Sequence, residues 1–185
     1  MKQALLVIDA QQDLIEGSDT EQAVFNKDRL ISVINLAVEK AMKAGVLIIF
    51  IRDLDVADGK GPGFQIHQEI IVPPNAEIYD KKATNSFYGT PLLPLLKENK
   101  INHAVIAGCK TEHCIDTAVR TATISQLDVT LIGDGHSTSD SEFLSAEQII
   151  QHHNRILHGH YNVDHFSLVR NANEELFSPE HDQYR

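Results

Sequence analysis

The sequence has no tryptophan, only two cysteines, and few aromatic residues of any kind. Two cysteines cannot staple a small scaffold, so the chain does not read as a disulfide-built secreted domain. Cys109 and Cys114 stand in a C-x4-C spacing, with no second pair to complete a zinc knuckle. Long apolar runs are missing too. V46-L-I-I-F-I51 is far too short to cross a bilayer. The N-terminus, M-K-Q-A-L-L-V-I-D-A, reads as a strand, because no small-residue cleavage site follows a proper signal-peptide core. A cytoplasmic protein with no membrane partner is expected. Excess positive charge is also absent. With 16 Lys and Arg against 26 Asp and Glu, the net charge is −10. A field of that sign repels nucleic acid and anionic lipid. It leaves a small-molecule substrate open.

What remains is 185 residues, 42% of them hydrophobic, with no linker-like segment and no internal repeat. That suits one domain over residues 1–185. Apolar runs alternate with helical patterns. Ala4–Ile8, Val46–Ile51, Glu77–Asp80, Ala104–Ala107 and Val129–Ile132 read as strands. Between Asp28 and Lys43 the apolar residues recur at helical spacing, and Gly45 suits a C-cap. Thr90-Pro91 starts a helix that turns Leu92, Leu93, Leu95 and Leu96 inward. A further helix is expected from Cys114 to Ser125. Another runs from Ser145 to His158, with Ser145 and Gln148 in a capping-box pattern. The last residues, from Phe177, read as a tail. Buried strands separated by helices argue for an α/β fold: a Rossmann-like three-layer sandwich, mainly parallel, with helices on both faces.

In such a sheet, ligands bind beyond the carboxyl ends of the strands. Asp9 stands at the first of those ends, Arg52 and Asp53 at the second, and Lys81 and Lys82 at the third. The Gly108–Cys114 loop follows the fourth, and Asp134 ends the fifth. A thiol opening a helix meets free N–H groups and a positive dipole end, which favour the thiolate and can hold an oxyanion. A nearby lysine adds to this, and Asp9 is placed to shuttle the proton. Each residue alone has a plainer reading: a packed thiol, a turn-forming aspartate, a solvated lysine edge. The reading draws its force from three strand ends agreeing at once.

These residues resemble the isochorismatase-like cysteine hydrolases, a family that includes nicotinamidases and other small amidases. L5-L-V-I-D-A-Q-Q-D13 is similar to the family's strand ending in D-x-Q-x-D. K81-K-A-T-N-S-F-Y-G-T-P-L92 is similar to K-x-x-x-S-x-F-x-x-T-x-L, and A107-G-C-K-T-E-H-C-I-D-T-A118 to G-x-x-T-x-x-C-V-x-x-T-A. D134-G-H-S-T-S-D140 resembles the closing loop. The resemblance implies an Asp–Lys–Cys triad of Asp9, Lys81 and Cys114. Lys81 is preferred because it lies six positions before Phe87, whereas Lys82 would point to the other side of a strand. It also implies a cis peptide at Cys109–Lys110 and an oxyanion hole from the N–H groups of Lys110 and Cys114. Cys109 itself reads as packing. Leu14, Phe64 and Phe87 are expected to line the pocket, and a homo-oligomer, dimer or tetramer, is implied.

The metal-binding members carry a D-x-H motif. Here the matching stretch is R52-D-L-D55, and His67 alone cannot make that site. The expectation is therefore no metal and no other cofactor, as in the generic branch. Isochorismate hydrolases lack the cysteine, so Cys114 points to amides and related C–N bonds. D53-L-D-V-A-D-G59 fails as a calcium loop, because glycine falls at its seventh position. H152-H-N-R-I-L-H-G-H160 has no H-x3-H pair and reads as helix surface, interface, or contacts that orient the helix end. Two rivals stand beside the amidase reading: vinyl-ether hydrolysis of the isochorismate type through Asp9, and a non-catalytic platform or thiol sensor with Cys109 as resolving thiol.

Overall fold

The computed structural model describes residues 2–177. In chain order the elements are β1 (Gln3–Ile8), α1 (Gln12–Glu16), α2 (Lys27–Ala44), β2 (Leu47–Asp53), a 3-10 turn (Val56–Gly59), α3 (Gly61–Phe64), β3 (Glu77–Lys81) and α4 (Leu92–Glu98). There follow β4 (His103–Cys109), a π-helical turn (Thr111–Ile115), α5 (Asp116–Ile124), β5 (Asp128–Ser137), α6 (Ala146–Leu157), β6 (Tyr161–Asn162) and β7 (His165–Arg170). The strands form one sheet in the order β3-β2-β1-β4-β5-β7-β6, parallel except for β6.

Alternation along each strand divides the core into two layers. Leu5 and Val7 of β1, with Ile48 and Phe50 of β2, face α2 and its Leu30, Ile34 and Val38. Leu6 and Ile8, with Ile49 and Ile51, face α4, the π-helical turn and α5 through Leu92, Leu96, Ile115 and Val119. Cys109 packs on the α2 side, and Cys114 lies on the other. The expected three-layer α/β sandwich is thus present.

Several boundaries differ from the sequence reading. β5 runs ten residues, to Ser137, and its pairing with β4 shifts register between Ile106 and Gly108. Asp134 therefore sits within the strand and not at its end. It accepts from Arg29 at 3.1 Å and from the Ala172 N–H at 2.8 Å. β7 was not foreseen. Phe177, the first residue of the expected tail, packs on the core; the rest of that stretch lies outside the described residues. The capping box at Ser145 and Gln148 is formed. His158 orients the end of α6, its Nδ1 accepting from the Val169 N–H at 3.1 Å.

Two glycines have unlike reasons. Gly45 ends α2 at φ 64° with nothing within 4 Å of an added Cβ. Gly108 has φ 125°, and a Cβ there would lie 1.8 Å from the Ile8 carbonyl oxygen. The first position needs only a left-handed backbone; the second also needs bare space where β1 and β4 end together. Gly45→Ala should cost about 1 kcal/mol, and Gly108→Ala more than about 3 kcal/mol or the fold itself. Urea denaturation of both variants checks this, and similar costs would contradict it.

Candidate active site

The ends of β1 and β2, the loop after β3 and the turn after β4 surround one cavity of about 340 Å3. Asp9 follows β1 with a left-handed backbone, φ 52°, which aspartate tolerates better than most residues. Its N–H is held by the Ile51 carbonyl at 2.8 Å. Asp53 of β2 lies directly opposite Lys81 of β3. Period two puts Tyr79 and Lys81 on the same face, and Lys82, just past the strand, is exposed.

The Lys81 ammonium is almost fully buried. It stands 2.9 Å from Asp9 Oδ2 and 3.4 Å from Cys114 Sγ, and it pairs closely with Asp53 Oδ2. Asp53 was named in the sequence only as a strand end; its parity with Ile49 and Ile51 was the available signal. Gln11, the middle residue of D-x-Q-x-D, fixes it. The Gln11 amide oxygen accepts from the Asp53 N–H at 2.7 Å, and its nitrogen donates to the Asp53 carbonyl at 3.1 Å. Among the described residues, Asp9, Asp53 and Cys114 have donor atoms within 4.8 Å of one another, close enough to share an ion. Lys81 already brings positive charge to that point.

Burial dominates the electrostatics. Asp9 is pushed up to about 6 by desolvation, which the Lys81 charge only partly offsets. Burial works against the Lys81 charge, yet Asp9, Cys114 and Asp53 outweigh it and hold the ammonium more firmly than in an ordinary lysine. Cys114 moves opposite to the sequence argument. Desolvation first, then the Asp9 charge, pushes its thiol up to about 12 despite Lys81. The resting site thus holds a protonated thiol beside a carboxylate whose Oδ2 pairs with Lys81 and whose Oδ1 has no partner among the described residues.

Cys114 sits in the π-helical turn. The Lys110 carbonyl takes the N–H groups of His113 and Ile115, each at 3.2 Å, and passes over that of Cys114 between them. The Cys109–Lys110 peptide is cis. Of the expected pocket residues, Leu14 lines the cavity and Phe64 and Phe87 do not. Phe64 is buried beneath the Arg52 guanidinium, 4.4 Å from its ring centre, and Phe87 packs on the α5-side core. Arg52 is also spent outside the cavity, on Asp80 at 2.8 and 3.1 Å. His67 is buried against Glu16, 3.0 Å away.

A model of the isochorismatase domain matches residues 3–154. The chain belongs to the isochorismatase family. It is 28% identical to the streptothricin hydrolase of Streptomyces noursei over 146 residues, 75% of this chain and 55% of that protein. It therefore spans about half the length of that relative. It is 25% identical over 154 residues to the ureidoacrylate amidohydrolase RutB of Enterobacter sp. (strain 638), covering 63% of this chain and 67% of that one. A solved structure of an isochorismatase family protein superposes with a TM-score of 0.81 at 29% identity, covering 91% of this chain and 98% of the other.

Behind the turn that carries Cys114 lies a buried polar chain that the sequence did not reveal. Asn154 Nδ2 donates to the Gly133 carbonyl at 2.9 Å, so its Oδ1 accepts from His136 Nε2 at 2.9 Å. The other ring nitrogen, Nδ1, must then accept from the Thr111 hydroxyl at 2.9 Å. Burial pushes His136 down to about 4 against the pull of Asn154. The unfolded chain binds this proton near pH 6.5, the ordinary histidine value, while the folded chain waits until about 4. The stability that neutral His136 contributes is therefore complete above pH 6.5 and falls on acidification towards 4, by on the order of 3 kcal/mol. Asp9 acts in the opposite sense, so the difference between wild type and His136→Gln isolates the histidine. That difference should narrow from pH 7 to pH 4 in urea denaturation; a constant difference would contradict the assignment.

Proposed function

We propose that this chain is a cysteine-dependent hydrolase of small amides or related C–N bonds, with Asp9, Lys81 and Cys114 as its triad. The reading is carried by the contact of Lys81 with both Asp9 and Cys114, the two of the three that line the cavity. The family match, and the hydrolase and amidohydrolase among its relatives, support it.

In this reading the substrate carbonyl approaches Cys114 while the thiol is still protonated. Asp9 takes the proton as the C–S bond forms, so no free thiolate accumulates. The N–H groups of Lys110 and Cys114 hold the tetrahedral oxyanion. Lys81 keeps the site near electrical balance as the negative charge moves from the carboxylate to the oxyanion. Collapse breaks the C–N bond, and the proton on Asp9 goes to the departing nitrogen. Asp9 then takes a proton from water as its oxygen attacks the thioester. Breaking the C–S bond releases the acid, and Asp9 returns the proton to sulfur. A carboxyl group near 6 is well matched to such two-way traffic. No cofactor enters any step. The thiol-sensor alternative is weakened by Cys109, which is fully buried on the opposite face of the sheet.

Cys114→Ala should lose at least about 10^4-fold in turnover of any amide the wild type cleaves, with its melting temperature nearly unchanged. Substantial residual activity would remove the thiol from the mechanism. The active form has Asp9 ionised and Cys114 protonated. The wild-type kcat/KM should therefore rise through pH 6 and stay level well into the alkaline range. A rise centred on the alkaline side, near the ordinary thiol range, would mean instead that thiolate formation limits the rate.

A further inference from the structure

We propose that the cavity over Cys114 selects substrates that carry a positive charge, an ammonium or amidinium group, and rejects those that carry a carboxylate. The inference rests on the hydrolase reading only for the bond that is cleaved.

Five acids line the cavity, Asp9, Asp13, Glu21, Asp53 and Asp55, against a single lysine, Lys110. The nearby cations are already committed. Lys81 faces Asp9 and Asp53, Lys110 pairs closely with Glu21 and donates to Ser139 at 3.2 Å, and Arg52 is held by Asp80 outside the cavity. His113, the other basic lining residue, lies 3.7 Å from the Glu112 carboxylate. Among the described residues no cation or side-chain donor meets Asp13 or Asp55. Asp13 is half-buried and rests on bare backbone: a Cβ at Gly63 would lie 2.1 Å from its Oδ2.

A second observation points the same way from the floor of the cavity. Asp9 is 1% exposed and lines the same space; its Oδ2 faces Lys81 at 2.9 Å, but its Oδ1 has no partner among the described residues. The negative charge that Lys81 and Lys110 leave unbalanced thus faces the volume a substrate would enter. A cleft lined by one sign of charge concentrates ligands of the opposite sign, and salt weakens the effect. The same lining disfavours the vinyl-ether alternative, because isochorismate is a dicarboxylate.

Charged thiol reagents test this without a known substrate. The rate of Cys114 modification by 2-aminoethyl methanethiosulfonate, a cation, is compared with that by the 2-sulfonatoethyl reagent, an anion. Each rate is divided by that of a free small thiol and read by mass spectrometry. The cationic reagent should lead by about tenfold or more at low salt, and the lead should shrink in Asp13→Asn, in Asp55→Asn and in strong salt. Equal normalised rates, or a faster anion, would overturn the inference. Loss of amide turnover in Cys114→Ala is a separate readout, so the charge preference and the hydrolase reading can fail independently.

Discussion

One buried ammonium organises this site. Lys81 stands between two carboxylates and a thiol, at the edge of the core where water cannot share the burden. A lone ammonium there would be strongly destabilising, and so would either acid without it. Two acids against one lysine leave one negative charge too many for a dry pocket, and the thiol cannot add another. Burial first, and then that excess of negative charge, raises Asp9 and keeps Cys114 protonated; in the proposed mechanism the pair is then a proton relay in place of a standing thiolate.

Much of the surrounding fold serves to hold those four groups together. The β2–β3 register sets Asp53 opposite Lys81. Gln11 clamps the Asp53 backbone from both sides. Gly108 lets the ends of β1 and β4 approach until a Cβ would not fit, which brings the turn bearing Cys114 towards Asp9. The Thr111–His136–Asn154 chain ties the back of that turn to β5 and α6. Much of the cavity wall belongs to other positions, including Asp13, Ser18, Thr20, Glu21, Asp55, Val56 and Ala57.

The sequence disclosed what periodicity and punctuation can carry. The buried runs of β1, β2 and β4, the apolar stripe of α2 and the capping box of α6 are local signals, and the structure keeps them. Asp9, Lys81 and Cys114 were legible because strand ends in a parallel sheet share one edge. Asp53 was not, because its role depends on which strand lies beside β2. Phe64 and Phe87 looked like pocket walls in a linear reading, but tertiary packing turned both away. The thiol was misjudged for a physical reason. A helix start and a lysine both favour the thiolate, but burial and the Asp9 charge are larger and are invisible without the fold.

The most direct test of this account is the ultraviolet absorbance of the Cys114 thiolate, measured near 240 nm as wild type minus Cys114→Ala across a pH titration. The account predicts no thiolate signal at neutral pH and none until well above the ordinary thiol range of about 8.5. A thiolate already present at about pH 7 would contradict it, and would mean that Lys81 is matched with sulfur and not with Asp9.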